Sequence, residues 1–90
     1  MIDMATKKVI KFFATWCGPC KVYGKTWDKI TPVYDSVTFQ EVDIDKDTDG
    51  LAAKYKIMTV PTTIAILEDG TVKKEEGRLS AQELTNLIEL

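Results

Sequence analysis

The sequence predicts an α/β fold in which a four-stranded mixed sheet carries helices on both faces. Two apolar runs, 8–14 and 37–44, are separated by a helical pattern, which indicates a parallel pair of strands joined by a right-handed crossover. Two further runs, 62–67 and 72–76, flank the turn signal Asp69-Gly70 and therefore predict an antiparallel hairpin.

Apolar spacing predicts the first strand and the helix that follows it. Five of the seven residues in 8–14 are apolar, so we expect this strand to be buried on both faces. A helix is expected to begin at Gly18-Pro19, because proline fits the first turn, where its missing N–H has no intrahelical partner. An apolar stripe follows at helical spacing: Tyr23, Trp27, Ile30 and Tyr34. Pro32 should kink the helix or end it near Thr31.

Capping signals predict two more helices. Asp47 or Thr48 is suited to cap a short helix that continues through Lys56. Ser80 and Glu83 match a capping box at the start of a last helix. That helix has an apolar stripe made of Leu84, Leu87 and Ile88. The element order is therefore βαβαββα, in a single domain over residues 1–90.

Composition excludes several classes of partner. The chain has 90 residues, is 44% hydrophobic and carries a net charge of -2, which fits one domain with its own core. We expect no nucleic-acid partner, because no basic run is present. No apolar stretch approaches the ~20 residues of a membrane-spanning helix. Lys11 interrupts the N-terminal apolar run, which argues against a signal peptide, so we expect a cytoplasmic protein. We also expect it to be a monomer.

Cys17 and Cys20 are the only cysteines, and the chain has no histidine. A structural disulfide is disfavoured because cytosolic thiols are kept reduced and so short a loop gains little stability. A zinc site would be half filled unless two chains shared it. The segment 45–50 matches half of a calcium-binding loop, but Lys56 stands where the bidentate glutamate belongs. We therefore expect no metal, and a redox-active pair is favoured.

The residues around the cysteines resemble the thioredoxin family. Trp16-Cys17-Gly18-Pro19-Cys20-Lys21 lies at a predicted strand-to-helix junction, and Val60-Pro61-Thr62 opens a later strand. The resemblance covers roughly residues 8 to 90. It implies a thioredoxin fold reduced to its minimal βαβαββα core, a redox dithiol, and a cis peptide bond before Pro61. It also implies disulfide exchange with other proteins.

The resemblance assigns roles to the residues of the motif. Cys17 would be the attacking thiol, since unpaired N–H groups and the dipole at a helix start favour a thiolate. Lys21, one turn later, would add positive potential. Cys20 would attack the mixed disulfide and release the reduced product. Gly18 would permit the tight turn, and Pro19 would stiffen it.

A docking surface for partner proteins is expected beside the thiols. Trp16 would form part of it, although ordinary core packing is the alternative for this side chain. If Pro61 is cis, the backbone of Val60 comes close to Cys17 and could pair with an extended substrate strand. Arg78 would favour acidic partners. The candidate substrate-binding residues are Thr59, Val60, Pro61, Gly77 and Arg78.

Two charged positions on neighbouring strands have the opposite sign to the family pattern. Thioredoxins carry a buried aspartate six residues before the first cysteine, where this chain has Lys11, and a lysine on the neighbouring strand, where it has Glu41. One hypothesis is that Lys11 and Glu41 meet beneath the active site and that Glu41, or its water, accepts a proton. The alternative is that Lys11 extends to solvent and has no role.

The expected function is reduction of protein disulfides by dithiol exchange. The family resemblance implies no bound cofactor, and electrons supplied by NADPH through thioredoxin reductase. A glutathione-dependent, glutaredoxin-like reductase is one alternative, favoured by the short fold and Thr59-Val60-Pro61 but not by Gly77-Arg78, where paired glycines are customary. A non-enzymatic binding or assembly subunit with the same docking surface is the other.

Overall fold

A mixed sheet with strand order β2-β1-β3-β4 forms the centre of the molecule in the computed structural model, which describes residues 5–90. The strands are Thr6–Phe13 (β1), Thr38–Asp43 (β2), Thr62–Leu67 (β3) and Val72–Glu76 (β4). β1 pairs in parallel with β2 and antiparallel with β3, and β4 pairs antiparallel with β3. The predicted mixed sheet is confirmed. The expectation about a signal peptide falls partly on residues 1–4, which lie outside the described residues.

Three helices connect and flank these strands in the described part of the chain: Gly18–Ile30 (α1), Leu51–Lys54 (α2) and Ala81–Ile88 (α3). α1 gives way at Ile30 to a short 3-10 turn, Thr31–Val33, that contains Pro32. The prediction that this proline ends the helix near Thr31 is therefore confirmed.

The two faces of the sheet carry separate cores because side chains alternate along β1. Val9 packs with residues of α1 and α3, among them Tyr23 and Leu84. Ile10 and Phe12 point to the opposite face, where partly buried side chains of α2 and its flanking loops cover them. Helices therefore cover both faces, as predicted, and β1 is buried on both sides.

A capping box begins α3. The Ser80 hydroxyl accepts the backbone N–H of Glu83 at 3.1 Å, and the Glu83 carboxylate accepts the backbone N–H of Ser80 at 2.9 Å. Both bonds satisfy N–H groups that a helix start otherwise leaves without partners. The predicted cap is confirmed.

Asp47 caps α2, as one of the two predicted candidates. Its carboxylate accepts the backbone N–H groups of Leu51 at 3.0 Å and Ala52 at 2.7 Å. The N-cap position itself is occupied by Gly50, with φ of 68°, so the Asp47 carboxylate supplies the acceptors that a glycine lacks. A carboxylate at this end also interacts favourably with the helix dipole.

α2 ends at Lys54, two residues earlier than predicted, because a Schellman motif closes it. The N–H of Ile57 donates to the carbonyl of Ala52 at 2.8 Å, and the N–H of Lys56 donates to Ala53 at 3.2 Å. Lys56 adopts a left-handed conformation with φ of 55°. Left-handed backbone is unfavourable for residues with a Cβ atom, so lysine is a poor fit here.

Replacing Lys56 by glycine should raise the free energy of unfolding by about 1 kcal/mol, since glycine adopts this conformation without steric penalty. Urea unfolding of the oxidised protein measures the change. Lys54→Gly is the matched control, because it removes the same charge from a right-handed helical residue and should destabilise by up to about 1 kcal/mol. A fall in the free energy of unfolding for Lys56→Gly as large as that for Lys54→Gly would contradict the prediction.

Candidate active site

The two cysteines lie where β1 ends and α1 begins. Cys17 is the N-cap residue of α1, and its backbone N–H donates to the carbonyl of Ala14 at 3.2 Å, which closes the turn after the strand. Cys20 is the third residue of the helix. The two residues form a disulfide with Cα atoms 5.2 Å apart, a normal separation for such a bond.

The sulfur of Cys17 caps the helix. Cys17 Sγ accepts the backbone N–H of Cys20 at 3.1 Å, the role that a serine or aspartate oxygen plays at other helix starts. Both cysteine residues are about 5% exposed, so water screens this contact only weakly. When the disulfide is reduced, the same N–H group and the positive end of the helix face the Cys17 sulfur and favour its thiolate.

The loop before β3 approaches the same sulfur. The Val60–Pro61 peptide bond is cis, as the family resemblance implied, and the Val60 carbonyl oxygen lies 3.7 Å from Cys17 Sγ. The backbone N–H of Gly77 donates to the Pro61 carbonyl at 2.8 Å. Gly77 has φ of 92°, a conformation that favours glycine. The Val60 backbone therefore lies beside Cys17, and Gly77 is hydrogen-bonded to Pro61, the next residue along this loop.

Trp16 lies at the surface. Its side chain is 67% exposed, and the indole N–H donates to the Asp45 carboxylate at 2.8 Å. The alternative of core packing is therefore wrong for Trp16. An open groove of about 360 Å³, here called the Trp16 groove, is lined by Trp16, Ile44, Ala52, Ile57, Met58, Thr59 and Val60. Arg78 is exposed next to Gly77.

Lys11 and Glu41 meet in the structure. They are direct neighbours in the parallel register of β1 and β2, and Lys11 Nζ lies 2.7 Å from a Glu41 carboxylate oxygen. The Lys11 side chain is 5% exposed, whereas that of Glu41 is 49% exposed. The alternative that Lys11 extends into solvent is therefore wrong, because the lysine is the buried member of the pair.

Three aromatic rings surround the Lys11 ammonium. Its nitrogen lies 5.1 Å from the ring centre of Trp27, 5.5 Å from that of Phe13 and 5.8 Å from that of Tyr23. Such distances allow cation–π attraction, which strengthens when the cation is shielded from water. The rings thus compensate part of the desolvation that burial imposes on Lys11.

The ion pair and the second cysteine share one cavity of about 350 Å³, here called the Cys20 cavity. Its lining consists of Lys11, Phe13, Ala14, Thr15, Cys20, Lys21 and Glu41. Lys21 itself is an exposed residue. The cavity therefore brings Lys11, Lys21 and Glu41 together with Cys20, the cysteine expected to complete the exchange.

Comparison with known proteins agrees with this geometry. The family model for thioredoxin matches residues 1–90. The chain belongs to the thioredoxin family. A thioredoxin from Mycoplasmoides gallisepticum is 31% identical over 88 residues, which cover 98% of this chain and 87% of that protein. A thioredoxin from Borreliella burgdorferi is 35% identical over 81 residues, 89% of this chain and 68% of that protein.

Solved thioredoxin structures are similar to this one. Thioredoxin-2 of the malaria parasite superposes with a TM-score of 0.80 at 28% identity, covering 98% of this chain and 86% of its own. Reduced Schistosoma mansoni thioredoxin gives a TM-score of 0.77 at 35% identity, covering 94% and 78%. With Cys17 and Cys20 bonded at the family's active-site position, this protein is a thiol–disulfide oxidoreductase. None of its described helices is long and apolar enough to cross a membrane.

Sequence reasoning missed two residues of this thioredoxin site. Asp45 belongs to the calcium-like segment 45–50, and its carboxylate accepts the Trp16 indole N–H. Its position just after β2 was an available signal, because the carboxyl ends of parallel strands meet at the edge where α/β proteins place their sites. Met58, 85% exposed on the Trp16 groove, carried no local signal.

Tyr23 is a buried ionisable residue on the face of α1 that packs into the core, three residues after Cys20. It is fully buried, and its hydroxyl lies 2.6 Å from the Thr63 hydroxyl. Burial raises the pKa of Tyr23 to about 12, and the Thr63 hydrogen bond opposes that shift only in part. Tyr23 is therefore neutral at every pH where thiol exchange normally proceeds.

The raised pKa of Tyr23 predicts a loss of stability at alkaline pH. The unfolded chain ionises this tyrosine near pH 10 and the folded one near 12, so the stability it contributes is complete below pH 10 and falls as pH rises toward 12. The free energy of unfolding should drop by about 1 kcal/mol more in the wild type than in Tyr23→Phe between about pH 8 and pH 11. Urea unfolding of the oxidised proteins measures both drops. Equal drops would contradict the prediction.

Proposed function

We propose that this thioredoxin-family protein reduces disulfide bonds in partner proteins, with Cys17 attacking and Cys20 resolving. The observation that carries the proposal is the hydrogen bond from the Cys20 N–H to Cys17 Sγ at the start of α1. This placement favours a thiolate on Cys17, and the thiolate is the nucleophile in disulfide exchange. Gly18 and Pro19 occupy the first turn between the two sulfurs and fix their separation.

The reaction proceeds by two exchanges. The Cys17 thiolate attacks one sulfur of the substrate disulfide, and the other substrate sulfur leaves as a thiolate that takes up a proton. Cys20 then loses its proton and attacks Cys17 Sγ, which breaks the mixed disulfide and releases the second substrate thiol. Two electrons pass to the substrate, and the Cys17–Cys20 disulfide remains on the protein.

Substrates dock in the Trp16 groove. The Val60 backbone, beside Cys17, pairs with an extended substrate segment, and apolar substrate side chains contact the groove wall. Pro61 and Gly77 form the flat surface next to the sulfur, while Thr59 lies on the groove wall. Arg78 attracts acidic groups near the substrate disulfide.

The Cys20 cavity supplies the proton chemistry of the second exchange. Glu41 lies in this cavity, half exposed, and accepts the proton that Cys20 releases, directly or through a water molecule. Lys11 holds the carboxylate in place through the 2.7 Å contact. Lys21 adds positive potential at the cavity rim.

Electrons to restore the dithiol come from NADPH through thioredoxin reductase, and the protein itself needs no bound cofactor. The cytoplasm is the compartment that suits this cycle, because its thiol pools are kept reduced. The direction of net electron flow follows from the protein's reduction potential relative to that compartment.

Insulin reduction tests the proposal. The protein should reduce insulin disulfides when supplied with thioredoxin reductase and NADPH, and much less when supplied with glutathione, glutathione reductase and NADPH. Activity with glutathione alone would identify a glutaredoxin-like enzyme instead. No activity with either donor, together with full biological activity of a Cys17→Ser, Cys20→Ser double variant, would indicate a binding subunit.

Single variants are the controls for the order of the two thiols. Cys17→Ser should lose essentially all reductase activity. Cys20→Ser should accumulate a mixed disulfide between Cys17 and insulin, because nothing resolves it. Accumulation in Cys17→Ser instead would reverse the roles.

A further inference from the structure

Lys11 is a buried charge that lines the same cavity as Cys20, and the proposed function uses it only to hold Glu41 in place. We propose that Lys11 exchanges partners during turnover, pairing with the Glu41 carboxylate while Cys20 is protonated and with the Cys20 thiolate once Cys20 has released its proton. Lys11 is then a positioning residue whose charge favours the resolving step. This inference rests on the proposed function and specifies how the Cys20 cavity supports it.

The first argument is the direction of the ion pair. The ammonium is the interior end, with 5% of the Lys11 side chain exposed, and the Glu41 carboxylate is the solvent end, with 49% exposed. Cys20, also about 5% exposed, lines the same cavity from α1. The buried charge in this cavity is therefore positive. A nearby positive charge favours the ionised form of a thiol, whereas a buried carboxylate would oppose it.

The second argument is the short distance between the Lys11 ammonium and α1. Gly24 follows Cys20 by one helical turn, and a Cβ atom built on Gly24 would lie 3.9 Å from Lys11 Nζ. The ammonium therefore lies directly against α1, in a turn adjacent to Cys20. A Cβ atom at this distance would be in ordinary van der Waals contact with the ammonium, so the measurement shows how close the charge lies to the helix.

The third argument is that Lys11 keeps attractive partners when Glu41 is protonated. The rings of Trp27, Phe13 and Tyr23 lie 5.1 to 5.8 Å from the nitrogen. They stabilise the cation independently of Glu41. Without them, neutralising the carboxylate would leave an unpaired buried charge, which is strongly unfavourable.

The exchange conserves both atoms and charge. The proton leaves Cys20 Sγ and joins a Glu41 carboxylate oxygen, where it stays until the Cys20 thiolate has attacked. It then passes to solvent through the exposed side of that residue. The thiolate left on Cys20 pairs with the Lys11 ammonium. The cavity begins with one cation and one carboxylate and continues with one cation and one thiolate, so no net charge is created in a poorly solvated site. The sulfur electron pair then attacks Cys17 Sγ as described above.

Other ionisable groups around Cys20 act less directly. Lys21 is exposed, so solvent screens its charge. The Tyr23 hydroxyl stays neutral over the working range because of its raised pKa. Cys17 is bonded to substrate when Cys20 must ionise. Lys11 on β1 and Glu41 on β2 are thus the charged groups that govern Cys20.

The test is the titration of Cys20 in a Cys17→Ser background, followed by the chemical shift of its Cβ atom. Lys11→Met should raise the midpoint of this titration by about one pH unit, tenfold in proton affinity, and Lys11→Arg should restore it. Glu41→Gln should lower the midpoint, because the carboxylate no longer competes for the ammonium. The Lys11→Met, Glu41→Gln double variant should deviate from the sum of the single effects.

Lys25→Met is the matched control, since it removes an exposed lysine charge from α1 and should leave the midpoint unchanged. A midpoint unaffected by Lys11→Met or unaffected by Glu41→Gln would overturn the inference. The two variants should shift the Cys20 midpoint in opposite directions, which structural damage alone would not do. The Glu41→Gln measurement remains informative if Lys11→Met fails to fold. If the wild type reduces insulin but the Cys20 midpoint is the same in all variants, partner exchange alone is overturned. Absence of insulin reduction would instead reject the proposed function.

Discussion

The hydrogen bond between the Cys20 N–H and Cys17 Sγ is the contact on which the chemistry depends. It exists because Cys17 occupies the N-cap position of α1, where a helix leaves donors without backbone partners. The position of that cap is set in turn by β1, one of the two inner strands, whose burial on both faces fixes the point where the chain leaves the sheet. The core thereby holds the Cys17 sulfur at the N-terminus of α1, the positive end of the helix dipole.

Charge in the interior distinguishes this site from the pattern of its family. A cation lies where a carboxylate is customary, and the structure accommodates it with an ion pair and three aromatic rings. The reversal leaves the pair neutral but changes which sign faces the buried sulfur. A buried ion pair is weak evidence for stability. Its value here lies in how it can bias a proton transfer.

Features defined by neighbours in the chain could be predicted from the sequence. β3 and β4 have the predicted bounds, because the two runs of residues and the Asp69-Gly70 turn between them act locally, and the Ser80–Glu83 cap is equally local. The burial of Lys11 depends on rings from other elements, so the sequence left two interpretations open. The role of Asp45 depends on how β1 and β2 meet in space and was missed for the same reason.

Alkylation of the reduced protein at a series of pH values is the most direct measurement of the central claim. The rate of Cys17 modification by iodoacetamide should follow a midpoint well below the ~8.5 of a free cysteine, within the range of about 3.5 to 7.5 known for helix-capping thiolates. A midpoint at or above that of a free cysteine would show that the helix start does not stabilise the anion, and would contradict the account.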